Sequence, residues 1–282
     1  MKKVIISVLI LVVAISCVFA FTACADKYDY KIGVQSGTTG ELYVKGDADW
    51  GFTGFSNIEC KPYSNGGLAV QDMLNGQIDF VVIDEAPAKQ LVASKEGQIK
   101  VIDIALTQEE YAFAVDKNQP ALLAEVNEFL AAIKANGTFE AILDKYFSGE
   151  GEIVGVDSAT YDASKTNQLV VATNAAFAPF EYKIGNKFAG IDMEIAALLA
   201  EELNMELVIQ DMDFDAVVSS VGANGVDMAM AGLTVNAERE KVVNFADAYY
   251  NASQMLIVKA DNTQFDACTT AAEVEAILKK AA

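Results

Sequence analysis

Residues 169–203, LVVATNAAFAPFEYKIGNKFAGIDMEIAALLAEEL, read as the opening of a domain. An apolar strand, LVVAT, leads into a loop holding Phe177, Pro179 and Phe180. An amphipathic helix follows, with Ile191, Ile195, Leu198, Leu199 and Leu203 on one face at helical spacing. Yet this opening lies past the midpoint of a 282-residue chain, behind elements just as well formed. KIGVQSG runs into the helix start TTGELYV, IECKPYS into GGLAVQDMLNG, and IDFVVID into EAPAKQLVASKEG, with IKVIDIAL next. Such alternation predicts α/β layers with largely parallel sheets. After EYAFAVDK come two helical stretches, QPALLAEVNEFLAAIKANG and TFEAILDKYFSG. The segment EGEIVGVDSATYDASKTN then has small polar residues and no period, the pattern of a linker. Beyond residue 203, ELVIQDM, FDAVVSSVGANG and VDMAMAG continue strand, helix, strand, and MLIVKA and a final helix TAAEVEAILKKAA complete the chain.

The two halves echo one another. QDMLNGQIDFVVID and SSVGANGVDMAMAG both run helix, Asn-Gly, apolar residue, Asp, buried strand. Asn-Gly is a natural helix stop, so convergence alone could give the match. Each copy nevertheless delivers a loop at the carboxyl end of its strand, where open α/β sheets bind ligands.

The amino-terminal MKKVIISVLILVVAISCVFAFTAC has two lysines and then an apolar run from Val4 to Phe21, the layout of an export signal. FTAC resembles a bacterial lipoprotein box, with Cys24 the lipidated residue; ordinary cleavage near Ala20 or Ala23 is the alternative. Residues 1–23 are therefore read as a lipoprotein signal peptide and 24–30 as a tether, in which Ala25–Asp29 span at most about 15–18 Å. The formal charge of −20 argues against nucleic acid and against direct adhesion to anionic lipid, so the membrane is reached through the lipid only. Cys60 and Cys268 are the thiols left in the body; export permits a disulfide, and two free thiols serve equally. The absence of histidine removes the commonest general base and metal ligand, and no metal or cofactor is expected.

Arg239 is the sole arginine among 20 basic residues. A plain surface charge is served by Lys as well as Arg, whereas a planar, bidentate donor for a carboxylate is available from guanidinium alone. Just upstream, AGLTVNAER leaves a strand at Gly232 and turns through Thr234 into a helix start, where free amides favour an anion. QSGTTGE, with Thr38 and Thr39, has the same form in the other half but lacks the lysine and spacing of a phosphate-binding loop; a plain capped turn is its bland reading. Asp84 ends the apolar strand IDFVVID, either capping the next helix or facing a ligand cation. Of the aromatic pair, Phe180 suits the core and Phe177 suits the cover of an apolar ligand stem. A bidentate cation, two amide-rich turns, one carboxylate and an aromatic wall together fit an α-amino acid.

At this point the residues resemble a known family. LVVATNAAFAPFEY with GIDMEIAALLAEEL and FDAVVSSVGANGVDMAMAGLTVNAEREKVVNFADAYY resembles the first lobe of the extracellular solute-binding proteins, family 3, of bacterial ABC importers. KIGVQSGTTGELY with LAVQDMLNGQIDFVVID resembles their second lobe, and EYAFAVDKN onward resembles their closing segment. The resemblance implies a two-lobe, type II periplasmic-binding-protein-like α/β fold with a ligand cleft between the lobes. It implies that Arg239 clamps the ligand carboxylate with help from amides around Thr38 and Thr39 and from Thr234 and Gly232, that Asp84 takes the ammonium, and that Phe177 stacks on the ligand. Asn174 stands where relatives preferring basic ligands often have an acid, which favours neutral or polar amino acids.

The segment order departs from the family's and implies circular permutation. Residues 31–108 form the second lobe, 109–148 the closing strand and helices of the first, 149–167 the permutation linker, 168–260 the first lobe and 261–282 a return towards the second. The lobes are expected to be joined by crossings near 105–111 and 258–270. Domain ends commonly lie close together at the surface, so the rearrangement costs little. The expected function is capture of a free amino acid outside the cytoplasm and delivery to an ABC permease, by a lipid-anchored monomer on the cell membrane, and not catalysis. The alternatives are a cleft enzyme of dehydratase or murein-lyase type, or a ligand sensor with a membrane partner.

Overall fold

The computed structural model describes residues 28–279, so the signal peptide, Cys24 and most of the tether lie outside the described residues. Two five-stranded sheets organise the chain. The first has the order Ile58–Tyr63, Tyr30–Gln35, Phe80–Asp84, Gln254–Lys259, Ile99–Ile102; the second has Glu206–Asp211, Gln168–Thr173, Met228–Ala229, Ala114–Asp116, Val243–Phe245. In each, three neighbouring strands run parallel and a strand from the remote end of the chain enters antiparallel beside them. Helices cover the faces, which is why strands such as FVVID and QLVVAT are buried along their whole length. These are the two lobes of a type II binding-protein fold.

The echo between the halves has a structural cause. Phe80–Asp84 and Met228–Ala229 each lie parallel to the leading strand of their own sheet. The aspartate just before each strand accepts a backbone N–H of that leading strand: Asp79 from Lys31 at 2.7 Å and Asp227 from Val170 at 2.8 Å. Both motifs solve the same problem at the bottom of a parallel sheet.

Two crossings join the lobes, and their extended parts, Glu109–Tyr111 and Tyr250–Ala252, pair antiparallel. The crossings were expected near 105–111 and 258–270, and the first of these strands is Glu109–Tyr111. The second, Tyr250–Ala252, comes before its range: Gln254–Lys259 already sits inside the sheet of the second lobe, so the first lobe ends near residue 252 and not at 260. An apolar strand carries no mark of which sheet it joins, so the sequence boundary slipped by one element.

The segment 149–167 has no helix or strand and lies along the first lobe, through paired backbone bonds of Val156 with Phe188 and a bond from Ala159 N–H to the Leu207 carbonyl. The leading helix buries Ile191, Ile195 and Leu199 and half-buries Leu198 and Leu203, as its spacing required. It starts at Gly190, where φ is 124° and a Cβ would stand 2.1 Å from the Phe180 carbonyl oxygen. Cys60 and Cys268 are both free and pack on the same core of the second lobe.

Candidate functional site

The carboxyl ends of both sheets face each other, and most of the residues singled out in the sequence meet there. Arg239 belongs to the short helix Ala237–Glu240, which Asn236 caps by accepting the Arg239 N–H at 2.8 Å. Its guanidinium donates from Nη1 to the Thr234 carbonyl of its own lobe at 2.8 Å and from Nη2 to the Gly37 carbonyl of the other at 3.2 Å. Phe214 lies beneath it, with 5.4 Å between the guanidinium carbon and the ring centroid. A guanidinium has five N–H donors, so two bonds leave three for a carboxylate. Burial pulls Arg239 down to about 10, opposed by the charges of Glu109 and Asp84, and it remains a cation at neutral pH.

The two threonine turns touch: Thr39 Oγ1 lies 3.3 Å from Thr234 Oγ1. Thr38 turns inward instead, donating its hydroxyl to the Gln35 carbonyl at 2.8 Å. The Gly37 N–H of the same turn is taken by Glu41 at 2.7 Å. A third link across the cleft runs from Gln35 Nε2 to Asn174 Oδ1 at 3.0 Å, while Asn174 Nδ2 donates to the Met212 carbonyl at 2.7 Å. Both polar atoms of Asn174 are thereby engaged, and the buried Gln35 Oε1 is the acceptor left without a partner at this end.

Asp84 sits at the capping position of the helix Glu85–Ser94 but makes no capping bond. Its Oδ2 accepts the Tyr111 hydroxyl at 2.5 Å, so the plain-cap reading fails and the carboxyl faces the crossing strands. Burial, with the charge of Glu109 second, pushes Asp84 up to about 7. Phe177 is buried, stacked at 6.2 Å on the fully buried Phe180, and it walls the turn at Gly232, where φ is 53° and a Cβ would meet the Phe177 ring at 3.0 Å.

Two expected roles need correcting. The Gly232 N–H is already donated to Asp192 Oδ2 at 3.0 Å, so this glycine shapes the turn and does not lend its amide to an anion. The Thr234 hydroxyl donates to Glu109 Oε2 at 2.6 Å, so its oxygen can accept but not donate. Glu109, Phe214, Gln35 and Tyr111 contact the candidate residues Thr234, Arg239, Asn174 and Asp84 and were not singled out from sequence. Glu109 carried no signal of its own in so acidic a chain, and neither did Phe214, because an aromatic at a helix start reads as core. Below the turn lies further buried acid: Asp192 also accepts the Tyr249 hydroxyl at 2.7 Å and is pushed up to about 7 by burial, and Glu181 is raised well above the ordinary range by burial and by Asp192 and Asp84.

The family model for bacterial extracellular solute-binding proteins, family 3, matches residues 31–149 and 169–281. The chain belongs to this family. Among curated relatives it is similar to the arginine-binding extracellular protein ArtP of Bacillus subtilis, 38% identical over 99 residues that cover 35% of this chain and 39% of that protein. It is also similar to the ABC transporter arginine-binding protein 1 of Escherichia coli, 30% identical over 37% of this chain and 43% of that one. The L-cystine-binding protein TcyJ of Escherichia coli is 27% identical over 43% of this chain and 42% of its own length. The chain thus spans about two fifths of the length of the relatives it matches. Among solved structures, the arginine-bound truncated ArgBP from T. maritima is 38% identical, covers 30% of this chain and 40% of its own, and has a TM-score of 0.29. Among the described residues no group of ligating side chains could hold a metal ion, and no helix is long and apolar enough to cross a membrane.

Proposed function

We propose that this family member captures a free amino acid between its lobes and delivers it to an ABC permease. The observation that carries the reading is Arg239: the chain's sole arginine is held in the cleft, bonded to both lobes, with donors to spare and a buried carboxyl opposite. The ligand carboxylate binds the guanidinium, the ammonium binds Asp84, and Phe177 and Phe214 cover the stem. Closure of the two lobes about the paired crossings buries all three.

A neutral or polar side chain suits the far end of the cleft. Asn174 spends its amide on Gln35 and Met212, and Gln35 Oε1 offers an uncharged acceptor to a ligand N–H or O–H donor. The body works as a monomer, tethered outside the cytoplasm through a lipid on Cys24. The segment order is a circular permutation of the family's. Asn57 Nδ2 supports this, since it donates at 2.9 Å to both Asp29 and the Leu278 carbonyl and so holds the two ends of the described chain beside one side chain.

Thermal unfolding against a panel of amino acids tests the reading. Ligand at 100-fold over its dissociation constant adds about 2.7 kcal/mol of stability. Glutamine, asparagine or serine should raise the melting temperature more than arginine or lysine; no shift with any amino acid sinks the proposal. Arg239→Lys should bind at least about 30-fold more weakly, because it loses the bidentate fork and a contact to one lobe.

A further inference from the structure

Among the described residues Glu109 is the buried acid with the most side-chain hydrogen bonds, and capture as described above gives it no task. Its Oε1 accepts the Thr107 hydroxyl at 2.6 Å and the Gln254 amide at 3.1 Å, and its Oε2 accepts the Thr234 hydroxyl at 2.6 Å. These partners come from the approach to the first crossing, from the strand beside Asp84 and from the turn that leads to Arg239. All three are uncharged donors to a buried carboxyl group. Asp84 feels the charge of Glu109, as does Arg239.

Counting charges shows what this does. One guanidinium faces two carboxyls, so a ligand bearing only a carboxylate would leave the cleft with an excess of negative charge in a poorly solvated place. A zwitterion adds a cation where both acids converge. The Thr234 hydroxyl gives its proton to Glu109, accepts the Thr39 hydroxyl at 3.3 Å and keeps one further lone pair.

We propose that Glu109 is a positioning residue that makes the cleft select ligands carrying an α-ammonium over their α-hydroxy or α-keto analogues, by adding a second negative charge beside Asp84 and by turning Thr234 into an acceptor. This rests on the amino-acid reading of the site. The groups facing Asp84 are Glu109 and Tyr111 of the first crossing, Gln254 of the paired strand, Arg239, Glu181 and Tyr250 of the second crossing. Replacing Glu109 by Gln removes its charge and leaves the bond from Tyr111 to Asp84 in place.

Glu109→Gln in the full chain tests it on two independent readouts. Without ligand, the carboxyl 13C resonance of Asp84, identified by its loss in Asp84→Asn, should titrate about one pH unit lower in Glu109→Gln than in wild type, the order expected from one neighbouring like charge. An unmoved midpoint overturns the proposal. With L-glutamine and 2-hydroxyglutaramate as probes, wild type should prefer the amino acid by at least about 100-fold, and Glu109→Gln should shrink that ratio about tenfold. A ratio unchanged in the variant overturns it too. Glu109→Asp, which keeps the charge, should retain the wild-type ratio; a ratio equal to that of Glu109→Gln speaks against the role of charge. If no amino acid binds wild type, the capture reading fails by itself, and the resonance still decides the electrostatic role of Glu109.

Discussion

Acidification should weaken amino-acid binding steeply, and the size of the effect follows from Asp84. Burial and Glu109 hold this carboxyl at about 7 in the free protein. An ammonium ion docking on it favours the ionised form and would return it towards the ordinary value near about 4. Binding then releases the proton that free Asp84 carries, about half a proton at pH 7 and nearly a whole one at pH 6. By linkage, affinity is flat above about pH 8 and falls about tenfold for each pH unit below 7, reaching about 100-fold at pH 5. The assay is titration calorimetry at a series of pH values, repeated at pH 7 in two buffers of different ionisation enthalpy. The apparent enthalpy should differ between buffers by about half the difference in their ionisation enthalpies. Asp84→Asn should bind weakly at every pH and lose the dependence. An affinity constant within threefold from pH 5 to pH 8, with no buffer effect, would show that Asp84 does not hold the ammonium.

The free protein should respond to pH with the opposite sign. Asp84 and Asp192 are raised to about 7 in the folded state, so their contribution to stability is greatest below the unfolded value near about 4 and is lost as pH rises through 7; melting temperature without ligand should therefore climb as pH drops from about 7.5 to 5.5. Gly190→Ala should cost at least about 3 kcal/mol in chemical unfolding, since the methyl would overlap the Phe180 carbonyl in a backbone conformation closed to alanine. Joining the ends that meet at Asn57 through a short linker, and opening the chain within 149–167, should give a protein with the same melting profile and the same ligand affinity within about threefold; failure to fold would refute the permutation.

Much of the fold was legible because its elements announce themselves by period. The helix carrying Ile191, Ile195 and Leu199 needs one buried face, and FVVID and LVVAT need two, so sequence alone separates helix from central strand. Membership of a sheet is another matter. Gln254–Lys259 is apolar from Met255 to Val258, as it would be in either lobe, and what sends it to the second is pairing with Phe80–Asp84 and Ile99–Ile102 across a long sequence separation. The lobe boundary is a property of that pairing, and no local composition encodes it.

The site divides along the same line. Arg239 was legible because its residue type is unique in the chain and its chemistry is not interchangeable with lysine. Asp84 was half legible: strand end and helix start coincide there, and only the Tyr111 hydroxyl, 27 residues away in sequence, separates a cap from an acid turned to the crossing strands. Glu109 was hidden among 40 acidic residues in a chain where an extra carboxylate carries no information. What distinguishes it is burial among three neutral donors, two of them remote in sequence, at the place where both crossings meet the turn that leads to Arg239. A hinge is the one part of a two-lobe protein that both lobes must agree on. A charge placed there acts on the site from either lobe, and closure cannot leave it behind.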